Sequence, residues 1–289
     1  MDYITGIQNA INYIEMHLTD EIETEKVASE AAMSTFYFQR IFGILCGVTL
    51  GDYIRLRRLT LAGIELASRE TKIIDIALKY GYETAESFTR AFTKFHGITP
   101  SNAKANKDKL KHFSRLSVKI TLSGGNIMDY KIVEKEAFAI IEKVSIQSVD
   151  NSTNAKTIPD FWTECHKNGT VRYLSDNATD NTYIFGVCYG NSENSKEFEY
   201  GIGALWDIDK TVPEGYRKTE IPARTWVVFE RTGAMPNAIQ DLWHKITAEF
   251  FQTSSLVPTY EMDIEAYTAG NMDSPDYKSE IWIPVKKKS

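Results

Sequence analysis

The sequence predicts a multidomain protein, with an all-α double helix-turn-helix domain followed by an α+β domain built from two βαββ repeats. A segment that recurs at an offset of 50 residues predicts the first domain. Short strand-like runs that alternate with two helical runs predict the second. A polar, basic stretch with a Gly-Gly pair separates them. We therefore expect domains at 1–108 and 128–289, joined by a linker at 109–127.

The repeated segment is a short helix with the same pattern of aromatic, basic and glycine residues in both copies. The first copy runs from Ser34 to Thr49 and the second from Thr84 to Thr99. The identical pairs are Phe38/Phe88, Arg40/Arg90, Phe42/Phe92, Gly47/Gly97 and Thr49/Thr99. Two such units on one chain can reach two successive major grooves on one face of DNA, so a monomer suffices.

The other helices of the first domain follow from apolar spacing and from capping residues. An apolar stripe at intervals of three and four predicts an amphipathic first helix, through Ile4, Ile7, Ile11, Ile14 and Leu18. Thr24 and Ser34 are expected to cap the next two helices, the second of them over about residues 35–46.

A long helix is expected from Gly51 to Ser68 and a final helix at about residues 84–96. At about 1.5 Å per residue the long helix spans roughly 27–30 Å, close to the roughly 34 Å between adjacent major grooves. Its arginines, Arg55, Arg57 and Arg58, are candidate phosphate contacts or ion-pair partners.

Charge is divided unevenly along the chain, although the net charge is −6. Residues 1–128 carry 16 Lys+Arg and 14 Asp+Glu, whereas residues 129–289 carry 17 and 25. A nearly neutral first part can bind DNA through one basic face, while the acidic second part should repel it. This asymmetry predicts a division of labour between the two domains.

Several classes of protein are disfavoured by what the sequence lacks. The three cysteines lack metal-ligand spacing, so no metal or cofactor is expected and the thiols should be reduced. No run of 18 apolar residues and no signal peptide is visible, which predicts a cytoplasmic protein without a membrane partner. Neither a Ser-His-Asp set nor a phosphate loop is present, so the leading expectation is not an enzyme and no catalytic residue is expected.

Over about residues 4–104 the chain resembles the AraC/XylS family of bacterial transcription regulators. The resemblance is carried by Ile76–Tyr82, Ser87–Phe92 and Gly97–Ser101, with Ala103-Lys104 departing from the usual Tyr-Arg. It implies a ligand-responsive activator whose partners are double-stranded promoter DNA and RNA polymerase.

The family resemblance also implies that the outer faces of both repeated helices read bases. The implied DNA-binding residues are Phe36, Tyr37, Gln39 and Arg40 in the first helix and Ala85, Glu86, Thr89 and Arg90 in the second. We expect the first helix to specify sequence and the second mainly to position, because Glu86 repels nearby phosphate. The alternative is that Arg40 and Arg90 form ion pairs with Glu30, Asp75 or other acids.

In the second domain, strands and helices are expected to alternate in two similar halves. Strands are expected at 137–141, 183–189, 198–206, 221–229, 260–267 and 279–285, and helices from Pro159 and over 238–250. This part resembles the GyrI-like effector-binding domain over about residues 128–289, through Tyr277–Val285 and the helix that contains Leu242-Trp243. That resemblance implies a hydrophobic, often cationic, small-molecule effector bound between the halves by an acid among aromatics.

By that resemblance Glu280 is the expected carboxylate of the effector site, since an acid among aromatic rings suits an organic cation. The expected walls are Trp282, Trp206, Tyr200, Phe161, Trp162, Trp226 and Trp243. Three alternatives remain open: these aromatics are ordinary core, Glu280 with Tyr200 hydrolyses small electrophiles, or the acidic domain docks a protein partner.

Overall fold

The full chain is described here by a computed structural model. The structure describes residues 3–117, 128–148, 151–190 and 197–288, without the side chains of residues 3, 4, 151, 152, 154 and 155. The expected hinge, Ser123-Gly124-Gly125-Asn126, lies outside the described residues. The chain divides into two compact units, Met1–Thr35 with Cys46–Ile120, and Phe36–Leu45 with Thr121–Ser289. Most of the first repeated helix therefore belongs to the second unit.

The first half of the chain is helical, as the sequence predicts. Its helices are α1 (Tyr3–Met16), α2 (Thr24–Glu30), α3 (Thr35–Cys46), α4 (Leu50–Ser68), α5 (Ile73–Lys79) and α6 (Ala85–His96). The predicted apolar stripe of α1 is confirmed, because Ile7, Ile11, Ile14 and Leu18 are buried. The expectation that Thr24 caps α2 is wrong: the N-cap is Glu23, and no side chain caps that end.

Helices α4, α5 and α6 pack around one apolar core. Its fully buried members include Leu59, Phe88 and Phe92. Two threonines fix where the helices begin, since Thr49 accepts from Asp52 N and Thr84 accepts from Ser87 N. These caps, together with the 3.6-residue periodicity, explain why both helices begin within one residue of the expected position.

A buried ion pair joins α1 to α4. The guanidinium of Arg57 donates through Nε to Glu15 Oε1 at 2.8 Å and through Nη2 to Glu15 Oε2 at 2.9 Å. Tyr53 also donates to Glu15 Oε1, at 2.7 Å. Of the two roles left open for Arg57, the structure therefore supports the ion pair. Arg55 likewise pairs with Asp52, on the exposed side of α4.

Residues 111–116, which we call the strap, run back along the first unit without regular secondary structure. Its bonds join Lys111 N to His96 Nδ1 at 3.1 Å, Phe113 N to Thr60 Oγ1 at 3.1 Å, Arg57 Nη1 to Phe113 O at 2.7 Å, and Leu116 N to Tyr53 OH at 3.2 Å. The strap thus supplies hydrogen-bond partners to side chains that α4 and α6 bury.

The second unit is built on one antiparallel sheet. Its strands are β1 (Tyr130–Lys135), β2 (Phe138–Ser148), β3 (Tyr183–Tyr189), β4 (Glu197–Trp206), β5 (Arg217–Ile221), β6 (Arg224–Thr232), β7 (Leu256–Pro258), β8 (Met262–Thr268) and β9 (Lys278–Lys287). The strand order is β1-β6-β9-β8-β3-β4-β2-β5, with β7 paired to β9. The helices are α7 (Asn151–Lys167), α8 (Thr170–Asn177), α9 (Asn237–Lys245) and α10 (Phe251–Thr253), with a π-helical turn at Ile246–Phe250.

Several elements of this unit differ from the sequence-based expectation. Helix α7 begins eight residues before Pro159, because a polar Asn/Ser/Thr run hides its periodicity. The strand expected at 221–229 is two strands, interrupted at Pro222-Ala223, where proline cannot donate to the ladder. Helix α8 and strands β1 and β7 were not expected as separate elements. The α+β class with one antiparallel sheet is confirmed, while the two-repeat description stays a prediction.

The sheet has two faces with different neighbours. On the helix face, Tyr200 and Ile202 pack with Leu174 of α8, and Ile281 packs with Trp243 of α9. On the opposite face a second apolar cluster lies against the sheet, including Phe185, Val187, Ile264, Trp226 and Trp282. Residues two apart on a strand share a face, so the phase of each strand decides which side chains can meet.

Candidate functional site

Strand β8 carries two buried carboxylates on the helix face of the sheet. They belong to Asp263 and Glu265, whose side chains are 6% and 12% exposed. The ladder between β3 and β8 pairs Cys188 with Asp263 and Gly186 with Glu265. Two acids at alternate positions of an internal strand therefore point into one buried environment.

Aromatic side chains hold the Glu265 carboxylate by hydrogen bonds. Trp243 Nε1 donates to Glu265 Oε1 at 2.7 Å, and the Tyr267 hydroxyl donates to Oε2 at 2.8 Å. Trp162 packs edge-on against Tyr267, with ring centroids 5.3 Å apart. We call Asp263, Glu265, Trp243 and Tyr267 the acidic cage.

The cage is poorly solvated, and its titration behaviour follows from that. Burial raises the pKa of Glu265, although Arg40 and the two aromatic donors act in the opposite direction. Burial also raises the pKa of Tyr267, so its hydroxyl stays a donor. Within the part of the chain that the structure describes, Asp263 Oδ1 has no hydrogen-bond partner. A buried acceptor without a donor is unfavourable, which marks this atom as a place for an additional N–H group.

The acidic cage is occupied by the side chain of Arg40, which comes from α3. Its Nη1 donates to Asp263 Oδ2, and its Nη2 lies 3.9 Å from Glu265 Oε1. The guanidinium carbon lies 4.2 Å from the ring centroid of Trp243, a cation–π contact. The ion pair that the sequence left open for Arg40 is thus formed, with acids of the second unit.

Two aromatic side chains of α3 close the same region. Phe36 packs on Phe198 with ring centroids 4.7 Å apart, and Tyr37 packs on Tyr260 at 4.2 Å. Both are less than 8% exposed, so the expectation that this face of α3 is open to solvent is wrong for them. The space left among Phe36, Tyr37, Trp243 and Asp263 is about 10 Å³, room for roughly one water.

The corresponding face of α6 is open. Glu86 and Arg90 are exposed, while Ala85 and Thr89 are partly buried. No salt bridge of the described residues involves Arg90. On α3, Gln39 is partly buried. The role of all eight residues in base or phosphate contacts stays a prediction.

The predicted carboxylate Glu280 lies on the opposite face of the sheet, away from the cage. The ladder between β8 and β9 pairs Glu280 with Ala266 and pairs Ile281 with Glu265. Glu280 accepts from Trp282 Nε1 at 2.7 Å, and Lys135 Nζ lies 4.0 Å from the Trp282 ring centroid. The prediction that Glu280 shares a site with residues of the helix face is wrong. The register of β9 against β8 puts Glu280 on the opposite side of the sheet from Glu265.

The predicted wall residues divide between the two faces accordingly. Trp282 and Trp226 lie with Glu280 in the opposite-face cluster. The helix-face members are Tyr200, Trp206, Phe161 and Trp162 in one cluster and Trp243 in the next. Of these, Trp243 bonds Glu265 directly, and Trp162 donates to the Tyr200 hydroxyl at 2.9 Å. Tyr200 and Glu280 cannot act on one water molecule, so the hydrolytic pair that was left open as an alternative is not formed.

The sequence did contain a signal for the residues that were missed. Strand β8 reads Asp263-Ile264-Glu265-Ala266-Tyr267, with polar and apolar residues in strict alternation. An internal strand flanked by β3 and β9 has no solvent-exposed edge, so this pattern places two acids and a tyrosine on one buried face. That combination is more specific for a polar site than a single acid beside a tryptophan.

Comparison with known proteins gives matches to two parts of the chain. Residues 27–106 match a family model described as a helix-turn-helix domain, and residues 131–285 match one described as an integron-associated effector binding protein. Regulatory protein SoxS of Escherichia coli K12 is 41% identical over 96 residues, which cover 33% of this chain and 90% of SoxS. The chain belongs to the AraC-type transcriptional regulators with an effector-binding domain.

Two further likenesses extend over more of the regulator. Transcriptional regulator Rob of Salmonella typhimurium LT2 is 24% identical over an alignment that covers 99% of this chain and 100% of Rob. The structure of SAV2435 bound to tetraphenylphosphonium covers 55% of the regulator and 94% of its own chain, with 22% identity and a TM-score of 0.50. The second likeness shows a shared fold.

Two further kinds of feature, a membrane span and a metal centre, concern the described ranges of the regulator. None of the helices there is both long and apolar enough to cross a membrane. Within the same ranges no three metal-ligating side chains come together.

Proposed function

We propose that the regulator binds promoter DNA through α3 and α6 and activates transcription when a hydrophobic cation binds in the acidic cage. The observation that carries the effector half of this proposal is the pair of buried carboxylates, Asp263 and Glu265, set among aromatic donors. Buried carboxylates require a cationic or hydrogen-bonding partner, and aromatic faces favour an organic cation over a hydrated inorganic one.

The charge of the site supports a cation rather than a neutral effector. Two carboxylates face one guanidinium, and burial of Glu265 makes the uncompensated charge costly. SAV2435, which shares the fold of this unit, has been seen with a lipophilic cation. We infer the same class of effector for the regulator, with Glu265 in the role that the sequence assigned to Glu280.

The DNA half of the proposal rests on the repeated helices. Arg90 and Glu86 are exposed on α6, where they are available to a major groove. Gln39 is the α3 side chain whose amide matches an adenine edge. RNA polymerase is the expected partner of the DNA-bound regulator.

Thermal unfolding of the full chain tests the effector site. Tetraphenylphosphonium is compared with triphenylphosphine oxide, a neutral analogue, on the wild type and on Glu265→Gln. A ligand at 100 times its dissociation constant adds about 2.7 kcal/mol to stability, which is easily measured. We expect the cation to stabilise the wild type and to lose this effect in Glu265→Gln.

The matched control is Glu280→Gln, the same substitution on the neighbouring strand but on the opposite face of the sheet. It should keep the cation-dependent shift. Equal stabilisation by the neutral analogue, or loss of the shift in Glu280→Gln instead of Glu265→Gln, would contradict the proposed site.

A further inference from the structure

We propose that Arg40 is an internal ligand of the acidic cage, and that the effector is an aromatic amidinium or guanidinium cation that takes its place. The inference rests on the proposed function and names the chemistry of its ligand. The effector then cannot bind while α3 is packed against the sheet.

The position of Arg40 defines the chemistry that the cage accepts. Its planar cation lies over the Trp243 ring and donates to Asp263, with Glu265 at 3.9 Å. A planar delocalised cation can make both the ring contact and the hydrogen bonds, because its face contacts the ring while its edge donates N–H groups. A tetrahedral phosphonium supplies the charge but no donor.

Arg40 fits the cage incompletely. The 3.9 Å separation from Glu265 is beyond hydrogen-bond distance, and Asp263 Oδ1 has no partner among the described residues. By contrast, Arg57 bonds both oxygens of Glu15, at 2.8 and 2.9 Å. A free amidinium, which is not tethered to a helix, can donate to both oxygens of one carboxylate as Arg57 does. The cage can therefore bind it better than it binds Arg40.

Space makes the two occupants competitors. While α3 packs against the sheet, the cavity beside Asp263 is about 10 Å³, room for roughly one water. An aromatic amidine needs the volume held by the Arg40 guanidinium and by the rings of Phe36 and Tyr37. It can enter only after α3 leaves this position.

Displacement of α3 links the cage to DNA. Phe36, Tyr37 and Arg40 are among the predicted base-reading residues, and their side chains are turned into the second unit. A buried face cannot contact bases, so an effector that removes α3 from the sheet makes these residues available. By linkage, DNA that holds α3 must in turn increase affinity for the effector.

Calorimetric titration of the full chain with benzamidinium tests the competition. In Arg40→Gln the cage is no longer occupied by the internal cation, so the dissociation constant should fall by about tenfold or more. Arg172→Gln, which removes an exposed arginine of α8 in the same unit, should bind as the wild type does. Unchanged or weaker binding by Arg40→Gln would overturn the inference.

Methylguanidinium provides a second test that does not depend on the aromatic part of the ligand. It should stabilise Arg40→Gln against heat more than it stabilises the wild type, because it replaces the missing guanidinium. Tetramethylammonium, which has the same charge and no N–H donor, should not discriminate between the two proteins. If both cations act alike, the cage selects charge alone and the assignment of ligand class fails.

Accessibility of α3 is a third readout, measured with a Tyr37→Cys variant and a thiol reagent. Position 37 is 5% exposed, so labelling should be slow and should accelerate about tenfold or more with saturating benzamidinium. Background labelling is low, because Cys165 and Cys188 are buried and burial raises the pKa of Cys46 to about 11. An unchanged labelling rate in the presence of bound benzamidinium would show that α3 is not displaced.

The outcomes separate this inference from the function on which it rests. Stabilisation by tetraphenylphosphonium that depends on Glu265, with no effect of Arg40→Gln on benzamidinium, leaves the effector site standing and removes Arg40 from it. Absence of cation binding in every variant, Arg40→Gln included, overturns both.

Discussion

Helices α3 and α6 carry the same repeated motif but lie in opposite environments. On α6, Arg90 is exposed and forms no salt bridge within the described ranges. On α3, the matching Arg40 is partly buried and contacts Asp263 and Trp243. The same motif therefore leaves its arginine exposed on α6 and pairs it with an acid of β8 on α3. On the proposed mechanism α6 is available to DNA in either state, and α3 is the helix that the effector controls.

The pairing of Arg57 and of Arg40 sharpens this contrast. Arg57 donates two hydrogen bonds to the carboxylate of Glu15 and one to the carbonyl of Phe113 in the strap. Arg40 faces two carboxylates and satisfies them only in part. The Arg57–Glu15 pair is thus hydrogen-bonded at both carboxylate oxygens, whereas Asp263 Oδ1 beside Arg40 has no partner among the described residues.

The largest expected effect comes from breaking the ion pair between Arg57 and Glu15. Arg57→Ala leaves the largely buried Glu15 carboxylate without its cationic partner, which should cost about 3–5 kcal/mol of unfolding free energy in urea denaturation. Arg55→Ala is the control on the same helix, since its exposed pair with Asp52 contributes about 0–1 kcal/mol. Similar losses in the two variants would show that the Arg57 pair has no special structural role.

The next effect tests whether α3 specifies sequence. Gln39→Ala removes an amide that can pair with an adenine edge. Binding to a DNA duplex selected for tight binding to the wild type should therefore weaken by about 1–3 kcal/mol. Gln39 is preferred to Arg40 here because it is not part of the acidic cage. Binding is measured by titration of a selected duplex and of a random duplex. A loss of equal size on both would assign Gln39 to the DNA backbone.

A smaller and less selective effect is expected on α6. Arg90→Ala should weaken binding to all duplexes alike and reduce the slope of log affinity against log salt by about 1. The measurement is a salt titration of both duplexes. Sequence-dependent loss would instead make α6 a second specifying helix and remove the difference from α3.

The smallest effect concerns how α6 is held to α4. His96 is buried, its Nε2 lies 3.0 Å from Leu59 O, and burial lowers its pKa. The neutral ring is thus favoured in the folded state, so stability is present above about pH 6.5 and declines as pH falls below it. Urea denaturation across this range measures the decline. His96→Gln should flatten it, whereas exposed His112→Gln should not.

Local patterns predicted the helices well but not the site. The stripe of α1 and the repeat predicted α1, α3, α4 and α6 because 3.6-residue periodicity and capping are properties of neighbouring residues. The face of the sheet that Glu280 occupies could not be predicted, because the register of β9 against β8 depends on pairing between distant segments. The burial of α3 was equally out of reach, since it depends on acids more than 200 residues away in sequence.

The strap has a practical consequence for how the DNA-binding half can be isolated. A fragment that ends at residue 106 or 108, where the helix-turn-helix match and the expected boundary fall, lacks Lys111, Phe113 and Leu116. Arg57 Nη1 and His96 Nδ1 would then lose their main-chain partners, at about 1–3 kcal/mol for each buried group left unpaired. The smallest independently stable DNA-binding fragment should therefore extend through Ser117.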